Sequence, residues 1–187
     1  MTACASSLPK QKTTNGGNSM DYENIKLVID DEKLNSDDIF SIIEPLWWSV
    51  SIYDDEKQYY EDLSRFSDPQ KYVFAIQWYL SEVNNGGHDQ FYYNSTGIVW
   101  EEAMIGFKSI GLNDCFEILQ QSTKLMGGYP SKDREKRQDQ MEKYEPDFEE
   151  LDNKLYEIED QIDIEILKYI RLNKEKFKFD GIVSRPK

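Results

Sequence analysis

Residues 67–87 read SDPQKYVFAIQWYLSEVNNGG, and this stretch decides the fold class. Ser67 and Asp68 are N-cap residue types, Pro69 is tolerated in a first helical turn, and Gln70 sits three residues after Ser67, as a capping box requires. Val73, Ile76, Leu80 and Val83 then recur at steps of three and four, which places them on one face of a helix. Asn84-Asn85-Gly86-Gly87 closes the pattern, because glycine accepts the left-handed conformation of a C-cap.

The same period extends in both directions. A helix is predicted over Ile98–Ile110, with Trp100, Ala103, Met104 and Phe107 inward and Gly111 as its stop. Asn113 is the predicted cap of a helix carrying Phe116, Leu119 and Leu125, which ends at Gly127-Gly128. Upstream, Ser36 precedes Ile39, Ile42, Ile43 and Leu46, with Pro45 expected to kink that helix or end it near Glu44. Asp54 to Phe66 reads as a short helix, and Ser131 opens a polar one. Phe148, Leu151, Leu155, Ile158, Ile162, Ile166 and Tyr169 form a long apolar stripe. Strand-like alternation is confined to Lys26–Asp30. The expectation is an all-α fold, a compact multi-helix single domain over residues 20–187.

Residues 1–19, MTACASSLPKQKTTNGGNS, hold almost no apolar side chains and read as a disordered leader. They lack the apolar segment of a signal peptide. A later start at Met20, or a lipidated Cys4 in a trimmed chain, are the other readings of this leader. Two cysteines, Cys4 and Cys115, make no disulfide framework, and a cytoplasmic location is expected. No apolar run is long enough for a membrane span.

The chain carries 36 acidic and 22 basic residues, a formal charge of −14. Such a field repels nucleic acid and anionic lipid, so direct nucleic-acid binding is disfavoured and a basic partner is favoured. The acid lies in two blocks. Residues 21–65 hold 13 acidic and 4 basic side chains, and Glu145 to Glu165 holds ten acids with Lys154 as the sole base. Helical spacing puts Glu149, Glu150, Asp152, Glu157 and Asp160 on the outer side of the last helix, with Asp37, Asp38, Asp54 and Asp55 exposed in the first block. A helix rises about 1.5 Å per residue and duplex DNA shows one charge per roughly 1.7 Å, so carboxylates on one helical face can match phosphate spacing. For any single helix, a merely solvated acidic face is the simpler reading.

The residues supply no catalytic set, no metal-ligand set and no cofactor motif. His88 is the only histidine, and a zinc site needs three or four convergent ligands. Gly86-Gly87 fits neither a phosphate loop nor a dinucleotide fingerprint. A small-ligand pocket built by the 85–97 turn is the enzymatic or binding alternative. The same amides and phenols also serve to close a tight turn between helices.

Residues 82–97, EVNNGGHDQFYYNSTG, resemble a bacterial family of DNA-mimic-protein-like domains. The shared pattern is Glu82, Val83, Asn85, Gly86, Gly87, Gln90, Phe91, Asn94, Ser95 and Gly97. FAIQWYLSE before it, GFKSIGLNDCFEIL after it, DREKR near 133–137 and FEELDNKLYEIED at 148–160 are also similar, so the likeness runs over about 36–177. It implies an all-helical fold and, by analogy with its best-known member, a dimeric acidic protein that occupies the DNA-binding surface of a transcriptional regulator. The motif itself is not acidic, so Glu82, Asn85, Gly86, Gly87, Gln90, Asn94 and Gly97 are expected to maintain the fold. Lys132, Arg134, Lys136 and Arg137 would interrupt a uniform DNA-like face. An immunity or antitoxin-like protein that neutralises a basic toxin fits the same charge.

Overall fold

The computed structural model describes residues 21–187, apart from the side chain of Asp160. The leader expected at 1–19 lies outside the described residues. The chain is mostly helical, as its apolar periodicity predicts. In order it forms β1 (Tyr22–Ile29), a 3-10 turn, α1 (Ile39–Trp47), α2 (Glu56–Leu63), α3 (Asp68–Tyr93), a second 3-10 turn (Ser95–Val99) and α4 (Trp100–Ile110). Then come α5 (Asn113–Leu125), α6 (Arg134–Tyr144), α7 (Glu149–Leu172), α8 (Lys174–Phe177) and β2 (Phe179–Pro186).

The centre is α3. Val73, Phe74, Ala75 and Ile76 are consecutive and all buried, so its first half is enclosed on every side. It packs against α1, α4, α6 and α7. Its start follows the capping logic: Gln70 Oε1 accepts from the Ser67 backbone N–H at 3.0 Å. The Ser67 hydroxyl also donates to Lys176 O at 2.7 Å, which ties the head of α3 to α8. Where α4 crosses α3, a Cβ on Gly106 would stand 2.9 Å from Tyr72 Cβ, so glycine sets this close approach. The stripe on α7 buries Leu151, Leu155, Ile162, Ile166 and Ile170.

Several boundaries differ from those read in the sequence. Asp38, not Ser36, caps α1, accepting from Ser41 N at 3.2 Å. Asp55 caps α2 and Asp133 caps α6, each through a main-chain N–H three residues on. Leu112 takes the cap position of α5, and Asn113 is already helical. Pro45 lies in the last turn of α1, which ends two residues later at Trp47. The largest addition is a two-stranded antiparallel sheet pairing Tyr22 with Pro186 through Ile29 with Phe179. Most of its strand positions are exposed or half-buried, and Ile29 and Val183 are its buried residues.

Phe107 is fully buried, with its ring 5.5 Å from that of Tyr79 across the α3–α4 crossing. Phe107→Ala should lower unfolding free energy by about 3–5 kcal/mol in chemical denaturation. A loss below about 1 kcal/mol would show that this crossing is not part of the cooperative core.

Candidate interaction surface at the broken helix

The Asn84–Gly87 stop is real, but the helix resumes at once. Gly86 (φ −160°, ψ 28°) and Gly87 (φ 70°, ψ −175°) leave helical geometry, and α3 continues through His88 to Tyr93. The motif side chains splint this break. Glu82 Oε2 accepts from Gln90 Nε2 at 2.8 Å and from Asn94 Nδ2 at 2.9 Å. Asn85 Nδ2 donates to Gln90 Oε1 at 3.0 Å. One carboxylate before the break thus holds two amides after it. A Cβ on Gly86 would strike the Gln90 amide, one on Gly87 would strike Asp152, and one on Gly97 would strike Arg137.

His88 faces inward and its ring is fully buried. Asp152 Oδ1 accepts from His88 N at 3.0 Å and lies 2.5 Å from His88 Nδ1. Nε2 is 2.8 Å from the Tyr79 hydroxyl. With Nδ1–H donating to the carboxylate, Nε2 accepts from Tyr79, and both ring nitrogens are satisfied without water. Burial pushes the Tyr79 phenol well above its ordinary range, which keeps it a neutral donor. Asn85, His88, Gln90 and Asn94 of the 85–97 turn are therefore committed within the fold, while Asp89 is exposed. Asp152, which helical spacing placed outside, is turned into the break with its side chain 17% exposed.

Arg137 is the residue that sequence reasoning missed. It sits in a run of charges that reads as solvated, yet it is fully buried. Its guanidinium donates to the carbonyls of Tyr92 (2.8 Å), Asn94 (2.5 Å), Ser131 (2.7 Å) and Lys132 (3.2 Å). Two of these carbonyls close the C-terminal end of α3, where the helix dipole favours a cation. Burial lowers its pKa to about 10, so it remains charged at neutral pH. Lys132 also points inward, 7% exposed, at 2.9 Å from Glu102. The basic strip expected across 131–143 thus loses two of its cations to the interior.

An open concavity of about 490 Å³ remains beside the break, lined by Gly86, Gly87, Asp89, Asp147, Glu149 and Asp152. Burial, and then the charge of Asp152, raise the Asp89 pKa. Glu149, Glu150 and Glu157 are exposed around it, and Glu150 pairs with Lys154 at 2.7 Å. The Asp160 side chain is outside the described residues. The first acidic block sits elsewhere. Asp37 bonds Arg171 at 2.6 Å, at the far end of α7, roughly 33 Å along the axis from Glu149. Asp38 and Asp55 are helix caps, and Asp54 is exposed just before α2. Among the described residues, no cluster of three or more His, Cys, Asp or Glu is arranged to hold a metal. No helix there is long and apolar enough to cross a membrane.

The family model described as DMP19-like protein, for DNA mimic protein 19, matches residues 64–173. The chain belongs to this DMP19-like family. The match spans α3 to α7, and so contains the break, its splint, Arg137 and the acidic head of α7. Asp37, Asp38, Asp54 and Asp55 fall outside the DMP19-like region, as do both strands. No curated protein and no solved structure matches the chain.

Gly87 and Gly111 both have positive φ, but only Gly87 faces a neighbour; around Gly111 there is open space. Gly111→Ala should cost about 1–2 kcal/mol, the ordinary left-handed penalty. Gly87→Ala should cost clearly more, since Asp152 must also be displaced. Equal losses in paired urea melts would contradict this reading of the break.

Proposed function

We propose that this DMP19-like protein is a cytoplasmic acidic interaction module, which presents the head of α7 to the basic surface of a DNA-binding protein. The observation that carries the reading is the inward placement of Lys132 and Arg137. Glu145, Asp147, Glu149, Glu150, Glu157, Glu159 and Asp163 are exposed along the following segment, in which Lys154 is the only base. Glu150 and Glu157 are seven residues apart, about 10 Å along the helix, and Glu149 broadens the row. The concavity beside them, floored by glycine main chain and walled by Asp89, Asp147 and Asp152, suits a guanidinium or ammonium projecting from such a partner. Because the charges are exposed, association should be fast and salt-sensitive.

The test is retention of DNA-binding proteins from the source cell's lysate at low and high salt, with duplex DNA as competitor. Retention at low salt, loss at high salt and release by duplex DNA support the reading. Glu149, Glu150 and Glu157 changed together to Gln should weaken retention about tenfold, with the fold intact. Retention indifferent to salt, to DNA and to this triple variant would leave the acid as a solubilising surface only.

Association should also be proton-linked. The Asp89 pKa is raised in the free protein, and a cation bound in the concavity lowers it again. The complex therefore holds fewer protons, so binding releases protons across the Asp89 titration and weakens as pH falls through it. Calorimetry in buffers of different ionisation enthalpy reads the sign directly; net proton uptake would exclude this site.

A further inference from the structure

The surroundings of Lys132 are unusual for a structural lysine. Its Nζ lies 5.6 Å from the ring centroid of Tyr59, 5.4 Å from that of Tyr60 and 5.6 Å from that of Trp100. Glu102 Oε2 stands at 2.9 Å, Glu101 Oε2 at 3.6 Å, and the amine donates to Ile98 O at 2.8 Å. Three π faces, two carboxylates and a carbonyl converge on one ammonium, from α2, from α4 and from the turn before it. A buried ion pair needs only one carboxylate and hydrogen-bond partners. Aromatic walls on three sides are the arrangement that recognises ammonium groups, through the negative ring faces.

The walls have anchors besides the lysine, although Tyr59 shares Glu102 with it. Tyr59 is fully buried and its hydroxyl donates to Glu102 at 3.1 Å. The Tyr60 hydroxyl donates to Glu101 at 3.4 Å. Trp100 is buried, and its indole N–H has no partner among the described residues, so the indole contributes its π face here. Tyr60 is 39% exposed, which puts one wall of the cage at the surface. The lysine arrives from the segment between α5 and α6, after Gly127 and Gly128, both at positive φ.

We propose that Tyr59, Tyr60, Trp100, Glu101 and Glu102 form a recognition site for a primary or methylated ammonium group, which the chain keeps closed with its own Lys132. The tethered lysine competes at high effective concentration, so a free cation enters only when Lys132 is removed or drawn away. This site is distinct from the acidic head of α7, and its test does not depend on that reading.

The experiment is a thermal melt of the full chain carrying Lys132→Ala, titrated with methylammonium chloride, with sodium chloride at equal ionic strength, and with a blocked single-lysine peptide. The variant should melt below the wild type. Methylammonium should restore stability saturably where sodium chloride does not, and adding Glu102→Gln should abolish the rescue. Wild type should not respond at concentrations that saturate the variant. Rescue by the peptide at lower concentration than methylammonium assigns the site to a polypeptide lysine; the reverse order assigns it to a free amine. Rescue no greater than that of sodium chloride, or an equal response of wild type, overturns the proposal. Should Lys132→Ala not fold, the Lys132 Cε protons of the wild type decide by NMR. Strong upfield ring-current shifts relative to exposed lysines support the cage, and unshifted signals overturn it.

Discussion

The carboxylate of Asp152 at the interruption of α3 is the contact on which the surrounding architecture depends. A helix that stops and restarts leaves main-chain N–H groups without partners, and burying them unpaired costs about 1–3 kcal/mol each. Asp152 accepts from one N–H at the restart, that of His88, and from the same residue's ring. It comes from α7, so the repair of α3 also docks the last long helix. Gly87 then has two reasons to be glycine: a positive φ and the carboxylate where its side chain would be. Glu82 adds a second splint from within α3, through Gln90 and Asn94.

Buried cations complete the frame at some energetic risk. A guanidinium removed from water must find several acceptors, or its desolvation exceeds what its contacts return. Arg137 meets that demand with four carbonyls from two segments, the end of α3 and the lead-in to α6. It therefore fixes the direction in which α6 leaves. The same inward turn lets an acidic protein carry positive charge without displaying it, which ties the internal frame to the character of the surface.

The helices were legible because their apolar residues repeat at three and four, a signal carried within each segment. The cap of α3 and the apolar stripe of α7 could be read in this way. The sheet was not, since β1 shows its alternation only weakly and its partner strand lies at the other end of the chain. Ser36, Asn113 and Ser131 were read one to three residues from the true starts: cap-type residues stand together near Ser36 and Ser131, and α5 starts from Leu112 with no capping side chain. The motif residues could be recognised as a group, but the splint they form depends on a left-handed glycine, which leaves no periodic trace. Asp152 and Arg137 were read as surface charges. Helical spacing gives a residue's angle around its own axis, not whether a gap in a neighbouring element awaits it.

The sheet also bears on how the chain folds. Glu23 and Arg185, paired across it, are 162 residues apart in sequence. Closing so long a loop carries a large entropic cost, which is repaid only after the intervening helices have condensed. The strands thus join last, and their outer ends can open first, while Ile29 and Phe179 stay packed on the helical core. Native-state hydrogen exchange should accordingly be graded, fastest at the outer ends of the strands and slowest in the helical interior.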